Sequence, residues 1–241
     1  MQNLNFYNLL NLTKIISKKL DFESFIVNKN ITYIHNNDIE TYYNCSEYTK
    51  ACNFNKLQKC ILLTNKIPEL NDYIDFTFSK EDIDYKNSEG WTGLIICSRN
   101  INTLSNIDTL KILLNKNPNI NLQNNLGATA LNYAVCNSSC DSSYEAVKLL
   151  LVNGADPFIE DYEGKNVILH AIENYPKWCN EETLILLLDK IENHDINIGG
   201  QKLIKLLYDM NVNDEILLNS FSKGAKFIDL LDYEIQNLFY K

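Results

Sequence analysis

The stretch NNLGATALNYAV, Asn124–Val135, decides how the rest of the chain is to be read. It sets an Asn three residues before a Gly, a Thr two residues after it, and then small and apolar residues at helical spacing. An Asn or Asp at that place closes a tight turn through its side chain, and the Gly tolerates the positive φ that such a turn imposes. Thr129 then suits the N-cap of a short helix. The same frame recurs in both directions: Gly90, Gly127 and Gly164 stand 37 residues apart, each led by Asn87, Asn124 or Asp161. Thr92 and Asn166 occupy the capping place of Thr129, and Leu113–Leu114, Leu150–Leu151 and Leu187–Leu188 keep the offset, as do Asp108, Glu145 and Glu182. A fixed period of this size marks stacked supersecondary units.

Each unit should hold a hairpin-like finger and two helices. The second helix is announced by Ser142-x-x-Glu145, which matches a capping box, and by Ser105-x-x-Asp108, which puts an acid where the helix dipole favours it. In the third unit Cys179 stands in the serine's place, so Asn180 is the expected cap. Leucines at i, i+3 and i+4 give these helices one buried stripe. A pair so short cannot bury that stripe alone, so neighbouring units must cover it, and a solenoid follows.

These residues carry a resemblance. VKLLLVNGADPFIEDYEG, Val147–Gly164, resembles the end of one ankyrin repeat and the start of the next. In the family's Gly-x-Thr-Pro-Leu-His-x-Ala start, Gly127, Thr129, Leu131 and Ala134 match, whereas Ala130 replaces the proline and Asn132 the histidine. His170 lies one place beyond the family's histidine position, where Leu169 stands. The period exceeds the family's usual length of about 33, and the surplus falls in the helix-to-helix segments RNINTLSN, CNSSCDSS and ENYPKWCN. The Asn- and Ile-rich style is similar to ankyrin-repeat proteins of giant DNA viruses of amoebae. The resemblance implies an all-α ankyrin-repeat solenoid of helix pairs with hairpin-like fingers, capped by divergent helical ends. It divides the chain into an N-terminal cap or small module (1–47), a degenerate first repeat (48–82), three repeats (83–198) and a C-terminal helical cap (199–241). Gly199-Gly200 interrupts the pattern, and Phe227, Leu231, Ile235 and Leu238 form one apolar face beyond it.

In this family the fingers and the exposed side of the first helices form a concave face that selects a protein partner. Carried over by position, the implied partner-binding residues are Lys86, Ser88, Glu89 and Trp91 in the first unit, and Gln123, Asn125, Leu126 and Ala128 in the second. The third gives Glu160, Tyr162, Glu163 and Lys165, while Arg99, Cys136 and Glu173 should project toward the same groove. Trp91, Tyr162 and Arg99 lead this set, because aromatic and arginine side chains dominate interface hot spots. Trp91 has an alternative role packing on the preceding finger.

Composition bounds the function. The net charge of −9 and pI near 4.9 oppose a grip on a phosphate backbone, so no nucleic-acid partner is expected. No apolar run reaches the roughly 18 residues that span a bilayer, and the opening MQNLNFYNLLNLTKIISKKL reads as an amphipathic helix rather than a secretory signal. An intracellular, cytoplasmic setting follows, the host cytoplasm if the protein is viral. The seven scattered cysteines read as free thiols. Cys136-x-x-x-Cys140 lacks zinc-ribbon spacing, and His35, His170 and His194 are isolated in sequence, so neither metal, cofactor nor catalytic site is expected. The leading expectation is a non-catalytic protein-interaction module, with a substrate adaptor for a ubiquitin ligase as the alternative and an enzyme with an unrecognised N-terminal module as the third.

Overall fold

The computed structural model describes residues 53–68, 70–138 and 144–230. The expectations for residues 1–47, for a cap at Ser142 and for the apolar face through Leu231, Ile235 and Leu238 lie outside these.

Within them the chain runs as short helices in pairs. A leading pair, α1 (Lys56–Ile61) and α2 (Leu70–Thr77), is followed by one helical turn, α3 (Lys80–Asp84). Three pairs at the 37-residue spacing come next: α4 (Gly93–Arg99) with α5 (Ile107–Asn115), α6 (Ala130–Cys136) with α7 (Tyr144–Val152), and α8 (Val167–Asn174) with α9 (Glu181–Leu188). The two-residue strands β1 (Asn197–Ile198) and β2 (Gln201–Lys202) pair antiparallel, α10 (Leu203–Asp209) and α11 (Asp214–Ser222) follow, and a 3-10 turn at Phe227–Leu230 ends the described region.

The first helices start where the sequence indicates. Thr92, Thr129 and Asn166 cap α4, α6 and α8, each side chain accepting from the backbone N–H three residues on. For the second helices Asn180 caps α9 as expected. At α5 the cap is Asn106 and not Ser105. The link before it coils around one carbonyl, Asn100 O, which accepts from the N–H groups of Thr103, Leu104 and Ser105. That turn carries Ser105 inward, where its hydroxyl donates to Cys97 O at 2.9 Å. The lengthened links also tie neighbours together: Asn106 Nδ2 donates to Thr64 O, and Asn180 Nδ2 to Ser138 O.

First helices pack in a row, α1 on α4, α4 on α6 and α6 on α8, and second helices in a parallel row, α2–α5–α7–α9. The core lies between the rows. Leu110, Leu113, Leu150, Leu184 and Leu187 have no exposed surface, and Leu114, Leu151 and Leu188 are buried. Cys60, Cys97, Cys136 and Cys179 are free thiols. Burial pushes Cys60, Cys97 and Cys179 up to about 12 and Cys136 to about 11, so none is a thiolate at neutral pH.

Where Gly199-Gly200 interrupts the sequence pattern, the chain makes a hairpin at the place of a finger, with both glycines at positive φ. Helix α11 then ends in Lys223-Gly224-Ala225, repeating the turn of Asn153-Gly154-Ala155 after α7: Ala225 N donates to Ser220 O as Ala155 N does to Leu150 O. The loop before this hairpin is pinned by His194, whose backbone N–H donates to Lys223 O while its Nε2 lies 3.1 Å from Leu188 O.

Candidate functional site

The fingers are built one way three times. Asn87, Asn124 and Asp161 each accept at Oδ1 from two backbone N–H groups, two and four residues on, at 2.9–3.0 Å. Gly90, Gly127 and Gly164 then turn the chain at φ of 74°, 79° and 75°. Adjacent fingers are joined by backbone bonds, Asn125 N to Glu89 O and Tyr162 N to Leu126 O, both 3.1 Å. Side chains add a ladder: Lys86 Nζ donates to Gln123 O, Gln123 Nε2 to Glu160 O, and Asn125 Nδ2 to Ser88 O. A side chain on Gly127 would place its Cβ 2.6 Å from Tyr162 N, so the next finger sits where only glycine lets it.

In the second and third fingers the other atom of the Asx meets the first helix of its own unit. Asn124 Nδ2 donates to the Tyr133 hydroxyl at 2.9 Å, and Asp161 Oδ2 lies 2.5 Å from His170 Nε2. Tyr133 and His170 are 37 residues apart; the matching place in the first unit is Ile96, and there Asn87 Nδ2 has no partner. Burial pushes the Asp161 carboxyl up, but the His170 bond and the N–H groups of Lys165 and Glu163 outweigh it and the net shift is downward. Burial likewise pushes the Tyr133 phenol up, against the Asn124 amide and the Arg99 charge.

Between the second and third units this framework leaves a groove of about 300 Å³, lined by Leu126, Ala128, Asn132, Tyr133, Cys136, Asp161, Tyr162, Glu163 and His170. Leu126 is 66% exposed and Tyr162 75%, both large apolar groups held at its mouth. Of the residues singled out from the sequence, Leu126, Ala128, Cys136, Tyr162 and Glu163 meet here. Lys86, Gln123 and Asn125 spend their polar ends on neighbouring fingers. Lys165 Nζ reaches Glu173 at 2.9 Å and Glu163 at 3.9 Å, while Ser88, Glu89 and Glu160 are exposed. Trp91 is only 8% exposed. Its ring packs on Tyr133 of the following unit, with centroids 5.0 Å apart. The exposed Arg99 guanidinium lies 4.8 Å from the Trp91 centroid and 5.8 Å from that of Tyr133. Trp91 therefore supports Arg99 more than it offers its own face.

The comparisons with known proteins agree with this architecture. The family model described as ankyrin repeats, three copies, matches residues 49–161 and again 106–200. The chain belongs to the ankyrin-repeat family. An ankyrin repeat protein of Acanthamoeba polyphaga mimivirus is 32% identical over 163 residues, covering 66% of this chain and 35% of the relative. A second from the same virus is 26% identical over 195 residues, 73% of this chain and 34% of the relative. The chain thus spans about a third of the length of the curated relatives it matches.

As an ankyrin-repeat protein the chain is a protein-interaction module in its general design. Among the described residues no helix is long and apolar enough to cross a membrane, and no group of three or more His, Cys, Asp or Glu side chains could hold a metal. Sequence reasoning missed Tyr133 and His170 as finger supports. The signal was present in the offset that relates the glycines, because both residues keep it. It also left Asn132 without a role. In the structure its Oδ1 accepts from the backbone N–H and hydroxyl of Thr129, completing a capping box.

Proposed function

We propose that this ankyrin-repeat chain is a non-catalytic interaction module that holds a segment of a protein partner along the face formed by its fingers and first helices, with residues 1–47 as an N-terminal cap or small module and 199–241 as a C-terminal cap. The observation that carries this reading is the pair Leu126 and Tyr162, large apolar groups exposed on fingers that backbone bonds fix to one another. A surface fixed before the partner arrives loses little freedom on binding, so modest contacts suffice for affinity. Apolar groups displayed together around a groove are otherwise a liability in water. The likeness to mimivirus proteins supports a viral protein acting on a host protein in the host cytoplasm.

The test is capture from amoebal lysate by the immobilised chain and by a Leu126→Asp/Tyr162→Ala double variant, with circular dichroism as the folding control. Both positions are exposed, so the fold should survive. Loss of a captured protein by about tenfold or more, the scale of a hot-spot pair, supports the reading; unchanged capture by the folded variant rejects this face. Ligase subunits among the captured proteins would instead favour the ubiquitin-ligase adaptor.

A further inference from the structure

We infer that the groove between the second and third units takes an extended peptide in which an apolar side chain lies between an acidic residue, held by Arg99, and a basic residue, facing Glu160 and Glu163. This rests on the proposed function and specifies the chemistry of the bound segment.

Three observations converge. The mouth is apolar, with Leu126 and Tyr162 on adjoining fingers, and a volume of about 300 Å³ accepts one or two side chains rather than a folded element. The groove also carries an unmet polar demand. Asn132, 5% exposed, lines it; Oδ1 is consumed by Thr129, and Nδ2 has no acceptor. A buried donor left unpaired is costly, and a peptide carbonyl is the acceptor an extended chain supplies at regular intervals. The corresponding places in the other units hold Ile95 and Leu169, so this demand belongs to the second unit alone.

The third observation is charge. Arg99 is the chain's single arginine, and among the described residues no carboxylate pairs with it. Two aromatic rings hold its planar fork, which matches a carboxylate through two parallel N–H bonds. On the other flank, Asp161 is bound by His170 and Glu173 by Lys165. Glu160 and Glu163 are exposed, and among the described residues only Lys165, 3.9 Å from Glu163 and shared with Glu173, offsets them. One end of the face therefore offers the Arg99 guanidinium, with Glu89 exposed on the finger of the same unit, and the other end is anionic, which favours a segment whose acid meets Arg99 and whose base meets the third finger. Arg99 and Glu163 belong to units two apart. With about 8–10 Å between packed helices and ~3.3 Å per extended residue, the peptide's acid and base should lie roughly five or six residues apart.

The experiment is an array of nine-residue synthetic peptides, scanning acidic, apolar and basic residues across all positions, probed with the full chain and followed by fluorescence anisotropy on the best binders. Enrichment of an apolar residue between an acid and a base at that separation is expected. Arg99→Glu should weaken those peptides about tenfold, and the Glu160→Lys/Glu163→Lys pair by a similar factor. Arg99→Gln serves as a milder variant should the reversal disturb the fold. A blank array, enrichment lacking either charge, or binding unmoved by both reversals overturns the inference. If the array fails while Leu126→Asp/Tyr162→Ala still abolishes capture of a protein, the interaction role stands and only the assigned chemistry falls; failure of both removes the face as a whole.

Discussion

Gly127→Ala and Gly164→Ala place the same methyl group at equivalent positions of two successive fingers, and the structure gives them different consequences. Both residues sit at positive φ, 79° and 75°, where a side chain costs about 1–2 kcal/mol. At Gly164 nothing lies within 4 Å of the added Cβ, so the backbone strain is the whole cost. At Gly127 the Cβ would sit 2.6 Å from Tyr162 N and 2.8 Å from Asp161 Cα. Both are backbone atoms, so the third finger must retreat and stretch the 3.1 Å bond from Tyr162 N to Leu126 O. Losing that bond and its packing adds about 1–2 kcal/mol. Gly127→Ala should therefore destabilise by about 3 kcal/mol against about 1.5 for Gly164→Ala. With an m-value of about 2 kcal/mol per M urea, the two urea midpoints should differ by a little under about 1 M. Equilibrium unfolding followed by circular dichroism measures this. Equal midpoints for the two variants, or a lower one for Gly164→Ala, would refute the claim that the second finger is held by direct backbone contact with the third.

Other substitutions probe the supports and the core. Leu150→Ala, at a site with no exposed surface, should cost about 2–5 kcal/mol in the same assay. Tyr133→Phe removes the hydroxyl that receives the Asn124 amide. It should cost about 1 kcal/mol and lower affinity for any partner gripped by Arg99 only slightly, because the ring beneath the guanidinium is kept. The folded pKa of Asp161 is below its ordinary value, so its contribution is present above the unfolded pKa near 3.9 and is lost as pH falls through the folded value. Wild-type stability should thus drop more steeply below about pH 4 than that of Asp161→Asn. Burial, the largest influence on His194, lowers its pKa from 6.5. The fold holds the neutral form, so stability is full above that pH and declines as pH falls below it. Hydrogen exchange at His194 and Ala225, corrected for intrinsic rates, should quicken between pH 7 and 5.5, and a flat profile would count against it.

Much of this architecture is legible in the sequence because it rests on residues with narrow physical roles. Only glycine suits the turns at Gly90, Gly127 and Gly164, only short polar side chains cap helices as Thr92, Thr129 and Asn166 do, and the leucine pairs have nowhere to go but inward. Ser105 and Asn106 could not be separated from sequence, since both are capping residues and the choice is made by a loop that coils on Asn100 O. The hairpin at Asn197–Lys202 was hidden because β1 and β2 pair five residues apart where the other fingers close over four, which breaks the offset. Trp91 was read by residue type, and its burial depends on Tyr133, a residue 42 positions on that no local pattern couples to it. The groove's composition was visible in part through Leu126 and Tyr162. Its unpaired Asn132 amide was not, because satisfaction of a donor is a property of three-dimensional neighbours.

Photo-crosslinking tests the central claim most directly. A benzoylphenylalanine placed at Tyr162, on the third finger, should form a covalent adduct with the captured protein. The same group at Val152, equally exposed but on the second helix of its pair, should not. Adducts from Val152 and none from Tyr162 would place the partner elsewhere and contradict the account.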